Sequence, residues 1–315
     1  MRIVFLGTPE FAVPSLEALF RAGHALAAVV AQPDRPAGRG QALRAPATKV
    51  WAEAHGVPVL QPEKVRDGVL AGRLAELRPD ALAVAAYGRI LGADLLALAP
   101  HGAINVHASL LPRWRGAAPI QWAVASGDRE TGVTIMQMDA GLDTGDILLQ
   151  RTMAIRPDDT AETLSERLAD LGGAALVEAL DGLARGAIVP VRQDPGLATA
   201  ARILLKEDGR IDWSRPAQEI AARLRGFTPW PGAFTTLGGR LVKIVEASAA
   251  PVFDAKEAPQ GAAGSGFRIP GRGVFVVCGG GTALLVARLQ LEGKPAQDAN
   301  AFWNGLRREE VTFGT

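Results

Sequence analysis

The chain has 315 residues, of which 48% are hydrophobic and 21% are charged, and its formal net charge is +1. This length suits two domains, and the composition is that of an ordinary globular protein with no dominant electrostatic signal for nucleic acid. The single cysteine, Cys278, excludes an intrachain disulfide and any cysteine-based metal site.

Strands and helices alternate through the first part of the chain. Apolar runs predict strands at residues 2–7, 27–32, 58–61, 81–86 and 103–107. Amphipathic patterns between them predict helices at residues 11–22, 47–55, 69–77 and 91–98, and a loop rich in Pro, Gly and Arg covers 33–41. Continuous apolar strands between helices indicate an α/β fold with a Rossmann-like open, mainly parallel sheet.

The pattern changes after residue 130. Strands are predicted at 133–138 and 147–155, around a loop at 139–146, and a long helix is predicted at 161–186. Periodicity fades between residues 187 and 205, where prolines and a glycine appear, so we interpret this segment as an interdomain linker. The first domain is therefore expected to cover residues 1–186.

Residues 206–315 consist mostly of short predicted strands, which indicate a small β-barrel of the oligonucleotide-binding type. One clear helix is expected at 217–225, and a flexible turn at 261–266. The predicted strands are 234–237, 240–246, 273–278 and 283–291. This domain carries 14 Lys and Arg against 11 Asp and Glu, a net of +3, which permits contact with a phosphate backbone without demanding it.

The sequence shows no membrane-spanning or targeting signal. Residues 1–6 are too short for the core of a signal peptide, and no apolar run reaches the roughly 18 residues that a membrane helix needs. We expect a cytoplasmic protein that is not associated with a membrane.

An amide and an imidazole stand two residues apart near the end of one apolar strand. Because side chains alternate along a strand, Asn105 and His107 should point to the same face. The carboxyl ends of strands are where open α/β sheets bind ligands. A lone histidine at such a place is more often structural, and the neighbouring Asn105 leaves the structural and functional interpretations equally open.

The loop at 139–146 contains Asp139, Asp143 and Asp146 among glycines. A calcium-binding loop is excluded, because its sixth position is Thr144 and its twelfth is Gln150. Turn-capping is the preferred interpretation for Asp139 and Asp146, and one of the three acids could be catalytic. No phosphate-binding loop, dinucleotide fingerprint or nucleophile elbow is present, so the chemistry has to use Asn, His and Asp without a metal.

Residues 105–120, NVHASLLPRWRGAAPI, resemble the signature of the folate-dependent formyltransferases. Residues 132–136 and 142–146 are similar to its downstream partner motif. These motifs are shared across the family, so they imply the folate co-substrate and the reaction class but not the acceptor. The resemblance implies catalysis by Asn105, His107 and Asp143, with Asp143 either orienting His107 or taking the amine proton.

Further segments resemble the branch of this family that acts on methionyl-initiator-tRNA. They are residues 6–12, 32–40, 209–213 and 227–233. The resemblance covers essentially the whole chain and implies formyl transfer from 10-formyltetrahydrofolate to methionyl-tRNA for translation initiation. The chain departs from the family pattern at Ala108, Ala200 and residues 260–264, none of which is a proposed catalytic residue.

The resemblance also assigns binding residues. The expected folate contacts are Ser109, Leu110, Leu111 and Pro112, although either leucine is equally well explained by core packing. The expected tRNA contacts are Arg35 and Arg39 in the first loop, and Lys206, Arg223 and Lys243 in the second domain. A solvated loop is the ordinary alternative for residues 33–41.

Two rival functions remain at this stage. One is a formyltransferase for an amino sugar nucleotide, against which the basic loop at 33–41 argues. The other is a non-catalytic RNA-binding protein, against which the intact Asn, His and Asp set argues. We expect a monomer.

Overall fold

A computed structural model of the chain describes residues 1–37, 42–250, 261–306 and 311–314. The chain divides into two compact units. The first contains Met1–Pro119, Glu130–Ala154 and Ser165–Arg202; the second contains Ile120–Arg129, Ile155–Leu164 and Ile203–Thr315. Residues 187–202, where the sequence indicated a linker, thus belong to the first unit.

The strands of the first unit follow the apolar runs of the sequence. They are Arg2–Gly7 (β1), Ala25–Val30 (β2), Arg35–Ala37 (β3), Ala42–Arg44 (β4), Val59–Leu60 (β5), Ala81–Ala85 (β6), Ala103–His107 (β7), Glu130–Gln137 (β8) and Ile147–Ala154 (β9). The main sheet has the order β5-β2-β1-β6-β7-β8-β9. In this order, neighbouring strands from β5 through β7 pair in parallel, whereas β8 pairs antiparallel with both β7 and β9.

Helices connect and cover these strands, and two more lie in the rest of the described chain. They are Val13–Arg21 (α1), Ala47–Ala54 (α2), Val69–Glu76 (α3), Ala93–Leu96 (α4), Pro119–Ala125 (α5), Ala161–Ala184 (α6), Ala217–Gly226 (α7) and Ala299–Leu306 (α8). Residues Ile3, Val4, Phe5 and Leu6 of β1 are completely buried, as expected for a parallel strand that is covered on both faces. The predicted Rossmann-like α/β fold is confirmed.

The segment expected as a loop at 33–41 contains one short strand, β3, and a second, β4, follows it directly. β3 and β4 form a separate antiparallel ribbon, in which Arg35 lies opposite Arg44. The sequence pattern does not predict these strands, because they are only three residues long and Pro36 is unusual in a strand. The ribbon places two arginines at its base.

The second unit is built on an antiparallel sheet. Its strands are Ala233–Leu237 (β10), Arg240–Ala249 (β11), Ser265–Ile269 (β12), Gly273–Cys278 (β13), Thr282–Leu291 (β14), Gln297–Asp298 (β15) and Val311–Thr312 (β16). The order is β10-β11-β14-β13-β12-β16, with β15 paired to β14. The Gly314 N–H, just after β16, donates to Thr236 O of β10 at 2.8 Å, which brings the two ends of the sheet together. The predicted barrel-like domain is confirmed.

Two details of the second unit correct the sequence prediction. α8 is a helix in addition to α7, and its Phe302 and Trp303 are buried against the sheet core. The expected flexible turn at 261–266 is also too long, because β12 already begins at Ser265. Both elements are short and lie beside glycine, so their local sequence carries little periodic signal.

Candidate active site

The carboxyl end of β7 carries both residues that the sequence singled out there. Asn105 and His107 lie two residues apart in the strand and pair with Met136 and Thr134 of β8. They therefore occupy the same face of the sheet. Asn105 is half-buried, whereas His107 is only 5% exposed.

Each ring nitrogen of His107 faces an oxygen acceptor. Nε2 lies 2.9 Å from the carbonyl oxygen of Trp114, and Nδ1 lies 3.6 Å from Oδ2 of Asp143. The Nε2 contact has hydrogen-bond length, whereas the separation of Nδ1 from the carboxylate is longer than a hydrogen bond. The His107 ring therefore lies between a main-chain oxygen and the Asp143 carboxylate.

Asp143 reaches the histidine from the loop between β8 and β9. Its side chain is 16% exposed, and its Oδ2 accepts a hydrogen bond from the Gly116 N–H at 2.9 Å. Both Asp143, at φ 52°, and Trp114, at φ 61°, have left-handed backbone conformations. Such conformations cost about 1–3 kcal/mol each and persist where the surrounding structure holds them. The structure therefore brings together the three residues expected to act in catalysis.

The two other aspartates of the loop differ from Asp143. Oδ1 of Asp139 accepts hydrogen bonds from the Gly141 N–H at 3.0 Å and from Oγ1 of Thr144 at 2.7 Å. This geometry agrees with the turn-capping interpretation. Asp146 is exposed, and its main-chain oxygen accepts from the Gln137 N–H.

A glutamine from residues 187–202 supports the Asp143 loop. Nε2 of Gln193 donates to the carbonyl oxygens of Asp143 and Gly145, and Oε1 of Gln193 accepts from Arg115. The sequence analysis missed Gln193 because it lies 50 residues from Asp143 in a segment without periodicity. Trp114 and Gly116 were inside the quoted motif, but their contacts are made through the main chain, which residue types do not reveal.

The four residues expected to bind folate form the turn after β7. Ser109 is completely buried, and its hydroxyl donates to the carbonyl oxygen of Arg113 at 2.6 Å. Leu111 is also buried, and its N–H donates to Oγ1 of Thr134. Leu110 and Pro112 are partly exposed. Ser109 and Leu111 therefore stabilise the turn. Leu110 and Pro112 have partly exposed side chains, a few residues after Asn105 and His107 in the sequence.

The arginines expected to bind tRNA in the first unit belong to the β3–β4 ribbon. Arg35 is exposed and donates to Oε1 of Gln32 at 3.1 Å. Arg44, opposite it, forms an ion pair with Glu10 in which both side chains are 72% exposed. Arg39 lies outside the described residues.

The base of this ribbon is held by a partly exposed network at Asp34. Lys49 Nζ lies 3.0 and 2.9 Å from the two carboxylate oxygens, and Gln61 Nε2 donates to Oδ1 at 2.7 Å. The hydrogen bond from Gln61 and that from Lys49 lower the pKa of Asp34 below its ordinary value. Gln61 Nε2 also donates to the Gln32 carbonyl oxygen.

The expected tRNA contacts of the second unit lie on different elements of its fold. Lys206 and Lys243 are exposed, Lys243 on the outward face of β11. Arg223 is half-buried on α7, with its guanidinium 4.9 Å from the centre of the Phe227 ring and hydrogen-bonded to the Asp208 carbonyl oxygen. Lys206 and Lys243 thus present their charges to solvent more fully than Arg223 does.

Within the described part of the chain, no group of three or more His, Cys, Asp or Glu side chains is arranged to hold a metal ion. In the same residues, no helix combines the length and apolar character needed to cross a bilayer.

Comparison with known proteins gives consistent results over both units. Residues 1–180 match the family model Formyl transferase, and residues 203–307 match Formyl transferase, C-terminal domain. A methionyl-tRNA formyltransferase of Anaeromyxobacter sp. (strain K) is 72% identical over 315 residues, with 100% of both chains covered. Another, from Geobacter metallireducens, is 48% identical over 309 residues, covering 98% of this chain and 97% of the relative.

A solved structure of an N-formyltransferase from Helicobacter canadensis, complexed with folinic acid and dTDP-3-aminofucose, has the same fold. Its TM-score is 0.68 at 17% sequence identity, covering 90% of this chain and 98% of that one. At this identity the likeness concerns the fold alone.

Proposed function

The chain belongs to the formyl transferase family, and from this membership we propose that it transfers the formyl group of 10-formyltetrahydrofolate to the α-amino group of methionyl-initiator-tRNA. The observation that carries the proposal is the arrangement of Asn105, His107 and Asp143 at the carboxyl end of β7, in a chain 72% identical to a relative named for this reaction. The product, formylmethionyl-tRNA, serves translation initiation.

The reaction begins when the methionyl amine attacks the formyl carbon. A new N–C bond forms, and the electrons of the C=O bond move to oxygen. Collapse of this intermediate re-forms the C=O bond and breaks the bond from carbon to the folate nitrogen. The proton lost by the amine ends on that nitrogen, and tetrahydrofolate is released. The enzyme therefore needs hydrogen-bond donors for the transient oxyanion.

Asn105 and His107 are the proposed donors. The Asn105 amide is half-buried on the face that His107 shares, so both groups can approach one oxygen atom. Because Nε2 of His107 lies 2.9 Å from Trp114 O, the ring has to release that carbonyl or rotate when it donates to the oxyanion. Loss of one such donor typically raises a barrier by about 2.7–4 kcal/mol.

Asp143 is proposed to orient the His107 ring. Oδ2 of Asp143 faces Nδ1 of His107 and already accepts from the Gly116 N–H, which supports orientation over direct removal of the amine proton. The proton can then leave the amine through water. The turn at Leu110 and Pro112 is the proposed apolar contact for the folate.

The acceptor assignment rests on the relatives and on the ribbon. Arg35 and Arg44 place exposed cations at the base of the β3–β4 ribbon, where they can contact phosphates, and Arg39 is proposed to act with them. Lys206, Lys243 and Arg223 are proposed as contacts from the second unit. We further propose that the enzyme acts as a cytoplasmic monomer.

The test is transfer of labelled formyl from 10-formyltetrahydrofolate to charged initiator tRNA by wild type, His107→Ala and the control His55→Ala, which alters an exposed histidine. We expect robust transfer by wild type and the control, and a loss of about 100-fold or more in His107→Ala. Transfer to an amino sugar nucleotide in place of tRNA would refute the acceptor. Tight tRNA binding by folded wild type without any transfer would indicate a non-catalytic RNA-binding protein.

A further inference from the structure

Gln193 is a buried polar side chain whose hydrogen-bonding groups are directed at the segments that hold Asp143. It is 5% exposed and follows α6 by nine residues. Its Nε2 donates to Asp143 O at 3.0 Å and to Gly145 O at 2.7 Å. Its Oε1 accepts from Nε and Nη2 of Arg115 at 3.0 and 2.6 Å. A single amide therefore joins three points of the site.

The two carbonyl groups bound by Gln193 lie just C-terminal to the Cα of Asp143, at residues 143 and 145. Asp143 has φ 52°, a conformation that residues with a Cβ adopt rarely. Anchoring the carbonyl of Asp143 and that of Gly145 holds the main chain in this conformation. The carboxylate is then free to face His107, because Gln193 binds the main chain and not the side chain.

The other end of Gln193 contacts the segment that meets the carboxylate itself. Arg115 immediately precedes Gly116, whose N–H donates to Asp143 Oδ2. The main chain of Arg115 is fixed in turn, since its N–H donates to Thr199 O at 2.8 Å and its O accepts from the Ala201 N–H at 2.7 Å. Gln193 thus sets the separation between the Asp143 main chain and the donor to its side chain.

We propose that Gln193 is a positioning residue for the formyl transfer, which it serves by holding the Asp143 carboxylate against His107. The proposal rests on the proposed function for its kinetic consequence. Glutamine suits the place because one end accepts and the other donates twice. Methionine has a similar size but would leave two carbonyls and a guanidinium without their partner, and glutamate would set an acceptor against two carbonyl acceptors.

The test is a double-mutant cycle of Gln193→Met and Asp143→Asn, measured by kcat and KM for both substrates. Gln193→Met should lower kcat about 10- to 100-fold in the wild-type background, with KM for the folate unchanged, because a displaced carboxylate supports His107 poorly. In the Asp143→Asn background the same change should cost less than about 2-fold, since its route of action is already lost. Gln193→Glu should behave like Gln193→Met and serves in its place if that variant does not fold.

A substrate-independent measurement accompanies the cycle. Hydrogen exchange of peptides covering residues 139–146 should become faster in Gln193→Met. The matched control is Gln137→Met, which removes a glutamine side chain that donates to His101 O at the amino end of β7. The control should leave both exchange in that loop and kcat near wild type.

Several outcomes would overturn the proposal. Losses that multiply independently in the double variant would make Gln193 a stabilising residue without a route through Asp143. Unchanged exchange at 139–146 would remove the physical basis. If wild type transfers formyl to a different amine, the acceptor of the proposed function is wrong, and the same cycle measured with that amine still decides the role of Gln193.

Discussion

Asp34 and Asp143 occupy similar places in the first unit and are held in opposite ways. Each lies in a connection that follows a strand of the main sheet, and each has a glutamine beside it. At Asp34, the glutamine and a lysine bind the carboxylate itself. At Asp143, Gln193 binds the main chain, and the carboxylate faces a histidine and one N–H group. At Asp34, the charged carboxylate holds the connection in place. At Asp143, contacts to the main chain direct the carboxylate toward His107.

The two aspartates differ in the groups that contact their carboxylates. The hydrogen bonds from Gln61 and Lys49 lower the pKa of Asp34. Its carboxylate therefore stabilises the base of the β3–β4 ribbon. The Asp143 carboxylate meets a titratable ring that shares the β7 face with Asn105. A carboxylate with fixed cationic and amide partners builds structure, and one that faces a histidine can take part in chemistry.

The strongest test of this contrast replaces each aspartate by asparagine. Asp143→Asn removes the carboxylate proposed to orient His107, so kcat for formyl transfer should decrease about 100-fold or more. Asp34→Asn should leave kcat within about 2-fold and should lower the thermal unfolding temperature, because Lys49 loses its ionic partner. Steady-state kinetics and calorimetry measure the two effects. Similar kinetic losses in both variants would break the comparison.

A second test moves the N–H group that meets the Asp143 carboxylate. Gly116 has φ 121°, and a Cβ added there would lie 2.6 Å from Ala201 O, so Gly116→Ala has to shift the main chain. We expect kcat about 10-fold lower and a free energy of unfolding reduced by about 1–3 kcal/mol. Gly127→Ala is the control, because Gly127 has φ 72° but nothing within 4 Å of an added Cβ.

The control should lose about 1 kcal/mol of stability without a change in kcat, as expected for strain alone. Denaturant unfolding and formyl-transfer kinetics distinguish the two variants. Equal kcat in Gly116→Ala and wild type would show that the Gly116 N–H is dispensable for orienting Asp143.

The sequence predicted the fold correctly where a buried strand appears as a continuous apolar run. The bounds predicted for β1, β7 and β13 agree with the structure, because these strands are buried along their length. β12 and α8 were missed or misassigned because they are short and their burial depends on partners elsewhere in the sheet. Local periodicity cannot report a partner that is distant in the chain.

The candidate site was accessible only in part, for a related reason. The spacing of Asn105 and His107 is local, so strand periodicity alone placed both side chains on one face. The loop offered three aspartates, and the resemblance, not the spacing, selected Asp143. Gln193 had no local signal at all, because its partners lie near residues 115 and 143 and are mostly main-chain atoms.

Lys49→Met tests whether the ion pair with Asp34 holds the β3–β4 ribbon. Loss of the lysine frees the base of the ribbon that carries Arg35 and Arg44, so KM for methionyl-tRNA should rise about 2- to 5-fold, the range of a partly exposed ion pair. The KM for the folate and kcat should not change. Lys64→Met, at an exposed lysine of the same unit, controls for the lost charge. An equal effect of both variants would assign the change to net charge and not to the ribbon.

The smallest expected effect is a change in the stability of the folded chain at acidic pH. Because the pKa of Asp34 is lowered from the ordinary 3.8, the ionised network stabilises the folded chain fully above about pH 3.8 and loses this contribution as pH falls through the folded-state pKa. The stability difference between wild type and Asp34→Asn should therefore be constant near neutral pH and shrink below pH 3.8. Gln61→Leu removes the largest cause of the lowered pKa, so the loss should be smaller and should be complete at a higher pH. Urea unfolding across this range measures both, and a stability difference that persists at the acid limit would show that the Asp34 side chain holds the ribbon by packing and not by charge.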